Sequence, residues 1–198
     1  MMVKKNKNFF LEEYRKSWSF IIESKTFIYF IIALFFAFAL FSFFVPPPDF
    51  LAEQILEFIE ELLKKTQDMG YFELTRFIFF NNVQSSFFGM IFGVLFGIFP
   101  LIAVVSNGYL LGFVASIVTN TEGIFILWRL FPHGVFELPA IFISLGLGLK
   151  IGTFLFQKEK LKSLKIYLKN SLRTFLFIII PLLIVAAVIE GSLIFFFG

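Results

Sequence analysis

The chain contains no cysteine, which removes disulfide frameworks, thiolate metal sites and cysteine nucleophiles. It has one histidine, His133, too few for a catalytic zinc site built on three protein ligands and often on several imidazoles. It also lacks a Gly-rich phosphate loop, a zinc-protease helix and a dinucleotide fingerprint. Charge is scarce: only 16% of residues are charged and the net charge is +3, and no nucleic-acid partner is expected. Apolar residues dominate instead, at 59%, with 34 phenylalanines and a mean hydropathy of +0.89. A soluble domain holds roughly 45–50%. The expected fold class is therefore all-α, a polytopic transmembrane helix bundle with about five spans, some broken or kinked, plus interfacial amphipathic helices. A cleavable signal peptide is not expected, because the first apolar stretch is too long and no small-residue cleavage pattern follows it.

In chain order, residues 1–25 place Phe10, Tyr14, Trp18 and Ile21 at helical spacing between basic flanks, which reads as a cytoplasmic interfacial helix. Residues 26–45 carry no charge and are long enough for a first span, which Pro46-Pro47-Pro48 ends. Residues 46–85 read as an exterior helical hairpin. Its first helix has a Leu51, Ile55, Phe58, Leu62 face opposite acids, with Glu60–Lys64 and Glu61–Lys65 at the attractive i,i+4 spacing. A second span is expected over 86–106, an Asn107-Gly108 turn, and a third span over 107–131 interrupted at residues 119–123, as one broken helix or as a re-entrant pair. The fourth span is expected over 136–156 with Pro139 in its first turn, and the fifth over 174–197 with a kink at Pro181. Gly89, Gly93 and Gly97, then Gly108 and Gly112, then Gly148 and Gly152 repeat at spacings of four, which points to close helix packing and makes a homodimer the expected oligomer. Between the last two spans, residues 157–173 present Lys158, Lys162, Lys165, Lys169 and Arg173 on one face, suited to an anionic inner leaflet. Lys150 is expected to snorkel.

The two basic segments belong inside by the positive-inside rule, so the N-terminus is expected in the cytoplasm and the C-terminus outside, in a prokaryotic plasma membrane. Counting residues from the inner face then brings polar side chains from four segments to one outer level. These are His133 and Glu137, one helical turn apart, with Glu190, Glu122, Asn81 and Asn82. Ionisable groups at that depth are functional candidates by default, and these six form the candidate polar or ion site. No cofactor is required, although His133 and Glu137 offer two ligands for a divalent cation.

Asn81-Asn82 before a glycine-rich span, Ser106-Asn107-Gly108 followed by Gly112, and Pro132-His133-Gly134 with Glu137 and Ala140 together resemble the stage II sporulation protein M family of prokaryotic membrane proteins. The resemblance implies a bundle of about five spans in the plasma membrane. In spore formers, the family's namesake acts with two cell-wall hydrolases. The first functional expectation is accordingly a non-enzymatic scaffold or regulatory subunit of an envelope-associated complex, with an envelope protein as partner. The alternative is a small transporter or channel with a cation or proton site built from His133, Glu137 and Glu190. An intramembrane metallohydrolase ranks last.

Overall fold

The computed structural model describes residues 2–123, 125 and 131–197, and the side chains of residues 1–8, 131–133 and 197 lie outside that description. Among the described residues there are helices and no strand. Helix α1 (Met2–Glu23) runs into α2 (Lys25–Phe44) through Ser24 alone, whose hydroxyl donates to the Phe20 carbonyl at 2.6 Å. The three prolines then hold the chain off helix until α3 (Asp49–Thr66). Glu60 and Lys64 pair at 2.8 Å, whereas Lys65 leaves Glu61 and lies 5.1 Å from the centre of the Phe77 ring. No residue of α3 is buried.

The next two spans sit earlier in the chain than the apolar pattern suggests. Helix α4 (Tyr71–Ile91) is capped where the Gly70 amide donates to Glu73 Oε2 at 3.2 Å, and it continues as a tighter turn through Val94. Phe96 and Gly97 then adopt φ of 57° and 72°, and this left-handed pair breaks the span expected over 86–106. Helix α5 (Ile98–Glu122) starts after it with Pro100 in its first turn, where a missing donor costs nothing. The expected Asn107-Gly108 turn lies inside α5. Helix holds there because the Asn107 amide donates to the Ala103 carbonyl at 2.7 Å and Gly108 is pressed against the backbone of Phe35. Residues 119–122 likewise remain helical, and Gly123, at φ 87°, ends the helix. The segment expected to resume after that interruption, residues 124–131, falls almost wholly outside the described residues.

Helix α6 (Phe131–Gly152) begins five residues before the span expected at 136, so Pro139 is interior to it rather than in its first turn. Helix α7 (Lys160–Thr174) is continuous with α8 (Ile180–Phe197) through a wide π turn over residues 175–179. That turn precedes Pro181, whose missing N–H would otherwise leave a gap in the α ladder. Among the described residues, five stretches are long and apolar enough to cross a membrane: Lys25–Phe44, Tyr71–Val94, Ile98–Glu122, Gly134–Phe156 and Lys160–Phe196.

Helix α6 lies at the centre. One core cluster joins its Leu147 and Ile151 to Met90, Phe175, Ile179 and Leu183, and a second joins its Phe142 and Leu145 to Ile31, Phe35 and Val104. Glycines let these helices touch backbone to backbone, which in lipid replaces a hydrophobic driving force. A Cβ on Gly93 would overlap the Gly148 carbonyl, one on Gly112 the Ala39 carbonyl, and one on Gly108 would stand 2.5 Å from the Phe35 carbonyl oxygen. Gly89 faces Leu145, Gly97 faces Leu149 and Gly152 faces Gly93 and Gly97. Two further glycines act alike, Gly146 against Ile28 and Gly191 against Thr75. These small faces are all filled by helices of the same chain, so they are not free to join a second copy.

Candidate functional site

Glu137 lies in the second turn of α6 and Glu190 in the C-terminal half of α8, helices that pack along one another. Their carboxyl groups come within hydrogen-bonding reach of each other. Glu190 Oε2 is fully enclosed and finds no donor on any other described residue. An ionised carboxylate only accepts hydrogen bonds, so a bond between two carboxyl groups requires that one of them carry a proton. The pair therefore has two forms, joined by a proton or apart, and the second needs another cation nearby because like charges at contact repel.

The pair opens on a cavity of about 590 Å³ between α2, α5, α6 and α8. Its walls are apolar, with Phe35 and Phe36 from α2, Leu111 and Val114 from α5, and Leu138 and Ile141 from α6. Besides the two acids, Asn107 is the polar side chain on its wall among the described residues, and its amide nitrogen donates to the Ala103 carbonyl, leaving its oxygen free to accept. Pro139 has no N–H, so the carbonyl of Val135, also on the wall, lacks its helical donor.

Of the six expected site residues, the structure brings together Glu137 and Glu190. His133 lies in the first turn of α6, one turn from Glu137, and its side chain is outside the described residues. Glu122 is exposed at the end of α5. Asn81 and Asn82 sit mid-way along α4, exposed and half-buried, and neither lines the cavity. Their removal follows from the earlier position of the second span, which puts them within the span rather than ahead of it. Among the described residues no three His, Cys, Asp or Glu side chains converge as a metal site would require.

Three residues of the sequence take unexpected roles. Asn107 joins the cavity wall; an Asn followed by Gly reads as a turn, and only the long apolar runs on either side signalled otherwise. Lys150 does not snorkel. It is buried among α1, α6 and α7, with Nζ 4.1 Å from the centre of the Phe20 ring, 5.5 Å from that of Tyr167 and 3.1 Å from the Ser24 hydroxyl, and 4.0 Å from Glu23. Arg173 likewise leaves the expected basic face. Its guanidinium donates to Glu13 of α1 and to Asn170, and its side chain is only 16% exposed. A hydrogen bond from Lys16, with the Arg173 guanidinium beside it, holds the Glu13 carboxyl below its ordinary range. The other four lysines of that face, Lys158, Lys162, Lys165 and Lys169, are exposed, and Lys162 pairs with Glu159 at 2.7 Å.

A family model described as Stage II sporulation protein M matches residues 26–193, from the second residue of α2 to near the end of α8. The chain belongs to this family. The match takes in both carboxylates, Asn107, every packed glycine named above and Lys150, while α1 precedes it. No curated protein and no solved structure matches the chain.

Proposed function

We propose that this family member is a non-enzymatic multi-pass protein of a prokaryotic plasma membrane that loads and releases a proton or a cation at Glu137 and Glu190, as a small transporter or channel would. The observation that carries this reading is the meeting of two carboxyl groups from separate spans on one intramembrane cavity. Carboxylates in lipid are costly and mark ion or proton pathways. The exposed lysines of α7, and the basic N-terminal residues, support an orientation with both on the cytoplasmic side and the C-terminus outside. An anionic inner leaflet is the lipid partner that this orientation favours. The test is flux into liposomes carrying a pH-sensitive dye, under a potassium diffusion potential, for wild type and for Glu137→Gln with Glu190→Gln. Flux above that of empty liposomes in the wild type, lost in the double variant, supports the reading; equal flux in both removes it.

A second reading, a scaffold or regulatory subunit of an envelope complex, is favoured by α3. That helix has no buried residue and stands off α5 across a groove of about 400 Å³, with Leu51, Ile55 and Phe58 facing Val105 and Tyr109. Replacing Leu51, Ile55 and Phe58 by Ser should abolish co-purification of an envelope partner in mild detergent while leaving liposome flux alone. Loss of flux without loss of a partner would count against the scaffold.

A further inference from the structure

We propose that the cavity beside Glu137 and Glu190 binds an amphipathic organic cation, an ammonium head on an apolar body. This rests on the reading of the pair as a cation site and names the class of cation. Size is the first argument. A cavity of about 590 Å³ falls within the ~300–1,000 Å³ of small-molecule sites. An inorganic ion or a proton needs a small fraction of it, since one water takes about 30 Å³.

Donor chemistry is the second. A primary ammonium carries three N–H donors and no acceptor. The wall offers acceptors to match: the two carboxyl groups, with Glu190 Oε2 lacking any other donor among the described residues, and the amide oxygen of Asn107, whose nitrogen is committed to Ala103. The remaining lining is apolar, and Phe35, Phe36, Leu111, Leu138 and Ile141 suit an alkyl or aryl body rather than hydration water. When the ammonium arrives, the proton shared by the two carboxyls is released and two carboxylates face one cation, so uptake of the amine and loss of a proton are linked.

The test uses the purified full chain in mild detergent, with octylamine, octanol and octanoate as probes of equal tail length. Binding to the folded state alone raises the unfolding midpoint. At about ten times the dissociation constant, a chain of this size should gain about 3–6 °C with octylamine and nothing with octanol or octanoate. Glu190→Gln and the cavity-filling Ile141→Trp should each abolish the gain. Their midpoints without ligand, and their circular dichroism, show whether each is folded. Should one fail to fold, the other carries the comparison. Equal protection by octanol would make the cavity a slot for lipid tails and overturn the proposal. Protection by octylamine that survives Glu190→Gln would overturn it too. Proton flux that depends on both glutamates, with no octylamine effect on the wild type, would sink this inference while the ion-site reading stands.

Discussion

Replacing Gly93 by alanine tests the helix contact on which the bundle centre depends. The added Cβ would overlap the Gly148 carbonyl oxygen and stand 2.5 Å and 2.7 Å from the carbonyl carbon and Cα of Gly148. Ordinary contact begins near 3.4 Å, so α4 and α6 must part by about 1 Å, and the atoms in the way are backbone with no rotamer to change. A gap of ~0.5–1 Å forfeits a quarter to a half of each dispersion contact along the seam, and overpacking of this kind costs about 1–3 kcal/mol. For a chain of this length that lowers the unfolding midpoint by about 2–12 °C. Two other glycines calibrate the effect. Gly89→Ala meets only the tip of Leu145, at 2.6 Å, which can swing away, and should cost less. Gly134→Ala meets Leu138 Cδ1 at 3.5 Å, an ordinary contact, and should gain the ~0.8–1 kcal/mol by which Ala exceeds Gly in a helix. Thermal unfolding in one detergent, followed by circular dichroism, ranks the three. If Gly93→Ala unfolds at or above the midpoint of Gly134→Ala, the close approach of α4 to α6 is wrong.

Glu190→Ala should destabilise by about 1–3 kcal/mol because it leaves Glu137 without its partner, while Glu190→Gln, which keeps a donor, should fall well short of that in the same unfolding assay. Because the folded-state pKa of Glu13 is depressed, its contribution to docking α1 on α7 is complete above the unfolded value near ~4.3 and is lost as pH falls through the folded one. Spin labels at Phe9→Cys and Lys169→Cys should therefore separate only below that range, and in Glu13→Gln the separation should not depend on pH. Lys150 should resist a water-soluble amine reagent that modifies Lys158 and Lys165, since aromatic rings and Ser24 enclose it. With no native cysteine to remove, single cysteines at Lys165 and Glu57 should be labelled from opposite sides of the membrane. Labelling of both from one side would contradict the crossings between α3 and α7.

The class of fold was legible because lipid requires long apolar helices, and nothing else in the composition competes with that. Residues 26–45 were readable to within a residue of α2 because three prolines punctuate their end. The second and third spans were not. Asn107-Gly108 is the stronger local turn signal, yet it stays helical under the weight of Phe35, while the real break uses Phe96, a residue with no preference for the left-handed region. Shifting that break by about a dozen residues carried Asn81 and Asn82 out of the expected site. Glu190 was flagged by its depth in an apolar run and grouped with Glu137 by level, but which of the other expected residues it would meet could not be read, because which face of α8 meets α6 is decided by tertiary packing. The same holds for Lys150: its spacing says only that it lies near a helix end, and the ring of Phe20 comes from a segment more than a hundred residues away.

The most direct check of the account is the infrared spectrum of the carboxyl region in wild type, Glu137→Gln and Glu190→Gln. A hydrogen-bonded carboxylic-acid carbonyl band should be present in the wild type and change frequency or disappear in either variant, because each substitution takes away the other residue's carboxyl partner. A wild type without that band, or a band at an unchanged frequency in both variants, would contradict the shared site at Glu137 and Glu190.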